Sequence, residues 1–217
     1  NFIAKIADTL VDAGHEVVIV APRVDPRIRG ALTTKARVIE LPENESTKRW
    51  NDVQRRVMDG YWNSSVFAYL SEGKEIVRAV TAALNASVHY PGLVEQLRAE
   101  RFDVAFSEEA SGIGLAHMAG VEKTALAISF ATFEFSYATS HMPTNPSYVP
   151  SLVSWFGDRM TFWQRVVNTL FTVGMGTMMN SGRIDLLRPI FADDIWETMA
   201  NCSLVFINSE PLLDYPR

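Results

Sequence analysis

The sequence predicts an α/β fold: a Rossmann-like parallel sheet flanked by helices. Three observations carry this. Short apolar runs alternate with amphipathic helical stretches along most of the chain. Two of the runs, Val17-Val18-Ile19-Val20 and Ala125-Leu126-Ala127-Ile128, are continuously apolar, which suits strands buried on both faces. A third run, residues 102–107, ends in two carboxylates, Glu108 and Glu109, followed by the small-residue turn Ala110-Ser111-Gly112-Ile113-Gly114 into a helix. Ligands of open α/β sheets bind outside the carboxyl ends of the strands. Glu108 and Glu109 are therefore the first candidates for a site.

The elements follow in order. Phe2, Ile3, Ile6, Ala7, Leu10 and Val11 recur at helical spacing, and Gly14 supplies a left-handed helix end. A strand at 15–20 follows, so the opening reads as the second half of a β-α-β unit whose first strand lies upstream of Asn1. Pro22 and Pro26 break the chain before a short strand, Arg37-Val38-Ile39-Glu40-Leu41. Residues 42–48 are polar. From Arg49 to Val88 the pattern is helical, divided near Gly60 and Asn63-Ser64-Ser65. Pro91-Gly92 turns the chain into a short helix, 93–100. After the strand at 102–107 come a helix at 113–118, closed by Gly120, and a strand at 125–129.

Residues 130–150 break this rhythm. They form a long loop rich in aromatics (Phe130, Phe133, Phe135, Tyr137, Tyr148) and prolines (Pro143, Pro146, Pro150). Loops of this length inside a domain are commonly functional. A second helical, aromatic and Met-rich stretch spans 152–180. It reads either as core helices or as the wall of an apolar cavity. A short helix at 190–199 and a strand at 203–208 complete the chain.

Composition narrows the function. The chain has 217 residues, 47% of them apolar, and a formal net charge of −5, which gives no footprint for nucleic acid. No run of 18 apolar residues spans a membrane. The single cysteine, Cys202, reads as a small packed residue. Four Asn-x-Ser sequons, at Asn44, Asn63, Asn85 and Asn201, favour a secretory compartment. The chain starts on Asn inside a helical pattern, so it is expected to be a piece of a longer protein.

Other signatures fail. Gly112-x-Gly114 lacks the third glycine of a dinucleotide fingerprint, because His117 stands there; the glycines more simply permit close strand-to-helix packing. There is no phosphate loop, no nucleophile elbow and no metal-ligand spacing. These absences disfavour a hydrolase or dehydrogenase on a similar sheet. Of the histidines, His15 begins a strand, His117 lies within a helix, His89 has no partner in view, and His141, in the aromatic loop, is the best ligand contact.

Six segments remain: Ile6-Ala7-Asp8-Thr9-Leu10 with Gly14-His15-Glu16-Val17, Phe102-Asp103-Val104 followed by an acidic residue, Pro143-x-Asn145-Pro146-Ser147-Tyr148-Val149-Pro150, Met160-Thr161-Phe162 with Arg165 and Asn168, Asn208-Ser209-Glu210-Pro211, and Leu213-Asp214-Tyr215-Pro216-Arg217. In their order and spacing they resemble the N-terminal half of UDP-glycosyltransferases of the glucuronosyltransferase type, in the manner of invertebrate, nematode-like members. The resemblance implies a GT-B fold, with 1–217 as the N-terminal acceptor-binding domain, lacking its first strand. A UDP-sugar domain would follow Arg217. It further implies transfer of a sugar, glucuronate by preference, from a UDP-sugar to a hydroxyl of a small lipophilic acceptor, with inversion and without a metal or other cofactor.

In that family a histidine deprotonates the acceptor, and its match falls about two residues before Asn1. The carboxylate that orients it falls on Glu108, with Glu109 as the neighbouring alternative. Phe130, Phe133, Phe135, His141 and Tyr148 are the expected acceptor contacts. The resemblance also implies a detoxifying glycoprotein on the lumenal face of the endoplasmic reticulum membrane, anchored by a segment outside this chain, with a homo-oligomer left open. The alternatives are a UDP-glucosyltransferase of the same fold and a non-catalytic α/β module that binds apolar ligands.

Overall fold

The computed structural model describes residues 2–22, 34–60, 66–108, 110–129, 144–151, 154–191, 197, 201–210 and 215. The chain divides into two compact units, Asn1–Gln96 and Leu97–Arg217.

The first unit opens on α1 (Phe2–Asp12), whose buried face carries Ala4 and Ala7. Its end is a Schellman turn: Gly14 N–H donates to the Val11 carbonyl and His15 N–H to that of Leu10, with Gly14 at φ +90°. Strand β1 (Val18–Pro22) then pairs in parallel with β2 (Arg37–Leu41). The expected strand at 15–20 thus starts three residues later, because the helix cap takes up His15.

Helix α2 (Glu45–Gly60) begins four residues before the expected Arg49. The cause is a reciprocal cap. Asn44 Oδ1 accepts the Thr47 N–H at 3.0 Å, and Thr47 Oγ1 accepts the Asn44 N–H at 2.8 Å. The polar first turn hides this start from a hydrophobic-periodicity reading. Helix α3 (Val66–Val88) packs on α2. Small buried residues on α3, Ala79 and Ala83, suit a close helix–helix approach. Gly92, at φ +79°, makes the turn into α4 (Leu93–Glu100), whose bounds match expectation.

The second unit holds a three-stranded parallel sheet in the order β3 (Ala105–Ser107), β4 (Thr124–Ile128), β5 (Leu204–Ile207). The parallel, helix-flanked architecture agrees with the fold class read from the sequence. Strand β4 is buried along its whole length, as its continuous apolar run requires. Ala125 and Ala127 are small enough for Phe106 and Phe206 to approach across β4, with ring centroids 6.0 Å apart.

Helix α5 (Ala110–Met118) packs against β3 and β4 and ends in a second Schellman turn at Gly120. Gly112 lies against Ser107: a Cβ at this position would come within 2.8 Å of the Ser107 Cβ. The glycine therefore serves close packing, as expected.

Helix α6 (Phe162–Phe191) corrects two expectations. It starts at Phe162, not near 152, because Thr161 and Gln164 form a capping box: Gln164 Oε1 accepts the Thr161 N–H at 2.8 Å. It also runs through Ile190 and Phe191, the first residues of the separate helix expected at 190–199. Its buried face carries Asn168, Thr172 and Met175, while Phe162, Trp163 and Leu170 are exposed, as is Trp155 before it. Those four side chains do not belong to a core. No helix among the described residues is long and apolar enough to cross a membrane.

Candidate active site

Three strand ends meet on one edge of the second unit's sheet. Parallel pairing places Ser107 beside Leu126 and Ile128 beside Ile207, so the carboxyl ends of β3, β4 and β5 emerge together. The residues that follow them are Glu108, Ser129 and Asn208.

They form a connected group. Glu108 Oε1 accepts the backbone N–H of Ser129 at 3.3 Å and also the Ser129 hydroxyl. Asn208 continues the ladder by donating its N–H to the Ile128 carbonyl at 3.0 Å. Its side chain Nδ2 donates to the Ser129 carbonyl at 3.1 Å. Glu108 is half-buried, and among the described residues its Oε2 has no hydrogen bond. A carboxylate fixed through one oxygen presents the other in a defined direction. Such a group can orient a base by accepting its N–H, or take a proton itself.

The remaining predicted residues are placed as follows. Glu109, Phe130, Phe133, Phe135 and His141 lie outside the described residues, as does Asn63. Tyr148 is half-buried in a turn closed by its N–H on the Asn145 carbonyl. This turn belongs to a segment clamped by Asn168, whose side chain accepts the Ser151 N–H and donates to the carbonyls of Pro146 and Val149, each at 2.8 Å. His15 is exposed in the cap of α1, His117 is exposed at the end of α5, and His89 lies 3.0 Å from the Asn85 carbonyl through Nδ1. Asn44 caps α2, and Asn85 and Asn201 are exposed.

Sequence reasoning missed Ser129, the partner of Glu108, and Asn208, which holds the Ser129 backbone. Each is a polar residue directly after an apolar strand, which was the available signal. Cys202 is half-buried with its Sγ 3.5 Å from Thr124 Oγ1, and burial pushes its thiol pKa up. Among the described residues no group of three His, Cys, Asp or Glu side chains could hold a metal ion.

Comparison with known proteins decides the family. The family described as "UDP-glucoronosyl and UDP-glucosyl transferase" matches residues 2–217. The chain belongs to this family.

Its relatives within this transferase family are distant. It is similar to UDP-glucuronosyltransferase 1A6 of Oryctolagus cuniculus, with 26% identity over 76% of this chain and 32% of that protein. UDP-glucuronosyltransferase 2B7 of Homo sapiens is 28% identical over 79% of this chain and 34% of that protein. A Caenorhabditis elegans protein, ugt-48, which carries the name of a UDP-glucuronosyltransferase, is 27% identical over 97% of this chain and 42% of its own length. The chain thus spans about a third to two fifths of the length of the curated relatives it matches. No solved structure matches the chain significantly.

Proposed function

We propose that this chain is the N-terminal, acceptor-binding domain of a GT-B UDP-glucuronosyltransferase. The whole enzyme transfers glucuronate from UDP-glucuronate to a hydroxyl of a small lipophilic acceptor, with inversion. The observation that carries this reading is Glu108, held through Oε1 at the carboxyl edge of a parallel sheet in a chain of the transferase family.

In this reading Glu108 Oε2 accepts the N–H of a histidine from the polypeptide upstream of Asn1. The imidazole takes the proton of the acceptor hydroxyl. The freed oxygen attacks the anomeric carbon, the bond from that carbon to the phosphate oxygen breaks, and UDP leaves with the electron pair. Glu108 stabilises the imidazolium so formed. The acceptor contacts in this reading are Phe130, Phe133, Phe135, His141 and Tyr148, with exposed aromatics such as Trp155 and Phe162 as further candidates. A C-terminal domain beyond Arg217 binds the UDP-sugar and needs no metal cofactor. The whole protein works on the lumenal face of the endoplasmic reticulum membrane, with Asn44, Asn63, Asn85 and Asn201 as sequons.

The test uses the natural full-length polypeptide with UDP-glucuronate and UDP-glucose against a panel of phenols. Turnover with glucuronate, lowered about 100-fold or more in Glu108→Ala, is the expected result. Preference for UDP-glucose replaces the donor in this reading. Binding of phenols without turnover of either donor points instead to a non-catalytic module, and full activity of Glu108→Ala removes its role.

A further inference from the structure

Of the three residues on the sheet edge, only Glu108 has a task in the reaction above. The hydrogen bonds among them give the other two a task as well. Ser129 offers two donors, its N–H and its hydroxyl, and both converge on Oε1 of Glu108. Two donors on one oxygen oppose rotation of the carboxylate and fix the direction of Oε2.

The Ser129 backbone is held in turn from the other side. The Ile128 carbonyl and the Ser129 N–H belong to one peptide plane, and Asn208 N–H grips that carbonyl at 3.0 Å. Asn208 Nδ2 grips the next carbonyl, that of Ser129, at 3.1 Å. Both peptides flanking Ser129 are therefore tied to the end of β5. The order of fixation runs from β5 through Ser129 to Glu108, across residues separated by 79 and 21 positions in the chain. A freely turning carboxylate would present either oxygen to an incoming imidazole, and a misdirected catalytic group loses rate without losing substrate affinity.

We propose that Ser129 and Asn208 are positioning residues that aim the Glu108 carboxylate at the catalytic base, and that they act on the reaction only through Glu108. This rests on the role given to Glu108 above. The test is steady-state kinetics of the full-length enzyme carrying Ser129→Ala, Ser129→Thr, Asn208→Ala, Glu108→Gln and the double variant Ser129→Ala/Glu108→Gln, each checked by thermal unfolding.

The expected result is a fall in kcat of about tenfold for Ser129→Ala, the size of one hydrogen bond, with the acceptor KM unchanged. Ser129→Thr, which keeps both donors, restores kcat. In the Glu108→Gln background Ser129→Ala has no further effect, because residues that act through one another are not additive. Asn208→Ala lowers kcat in the same direction and carries the test if Ser129→Ala does not fold. Full kcat in Ser129→Ala and Asn208→Ala, with Glu108→Gln inactive, overturns this proposal and leaves the role of Glu108 standing. A fall that adds fully to that of Glu108→Gln also overturns it. Full activity of Glu108→Gln removes the role of Glu108 and this proposal with it.

Discussion

Asn168 is a polar residue on the buried face of α6, beside Thr172 and Met175, and it is 0% exposed. Burial of an amide is tolerated only when its donors and acceptors are met. Here one side chain answers three backbone groups, those of Pro146, Val149 and Ser151. Asn168→Ala strands all three, each at about 1–3 kcal/mol if water cannot replace the bond. A loss of about 3 kcal/mol or more in denaturant unfolding is expected. Asn51 is the opposite case. It is 5% exposed, and among the described residues neither amide atom has a hydrogen-bond partner. Asn51→Leu, close in volume and apolar, should raise stability by about 1 kcal/mol in the same assay. A loss of stability would show that the amide is satisfied. Neither outcome was legible in the sequence, because Asn51 and Asn168 look alike there. Only the partners within reach separate a latch from an orphan.

At the scale of elements, the helix ends closed by glycine were legible. The left-handed closures at Gly14 and Gly120 follow from glycine at the end of an apolar period. The starts at Asn44 and Thr161 were encoded as well, in Asn-x-x-Thr and Thr-x-x-Gln, but a hydrophobic pattern alone passes over them. Strand β3 is shorter than its apolar run, since Phe102, Asp103 and Val104 stay outside the ladder. The join of β3 to α5 depends on Gly112. Gly112→Ala forces a new methyl onto Ser107 and should cost about 1–3 kcal/mol by overpacking. The double variant Gly112→Ala/Ser107→Gly should recover part of that loss. Thermal unfolding of the four proteins in this cycle checks the contact, and simple additivity of the two changes refutes it.

For the whole molecule, acid is the condition most easily linked to named groups. Asp8 accepts the Thr34 hydroxyl and the Lys35 N–H, both at 2.7 Å, and these bonds lower its pKa from the ordinary 3.8. A carboxylate depressed in the folded state adds stability above its unfolded pKa and loses it as pH falls through the folded value. Stability should therefore decline below about pH 4, with a shallower decline in Asp8→Asn, read from unfolding midpoints between about pH 2 and 7. Asp8 is exposed, so solvent keeps the effect small. The pattern of residues along the chain was enough for the α/β class, for β2 and α4 to the residue, and for a carboxylate at a strand end. These are local properties, written in periodicity and in the conformational limits of glycine and proline. It was not enough for the neighbours of that carboxylate. Ser129 lies 21 residues from Glu108, and Asn208 lies 79 beyond Ser129. Ser129 reaches Glu108, and Asn208 reaches Ser129, because β3, β4 and β5 pair in parallel, and strand pairing is a contact between distant segments that no local pattern specifies.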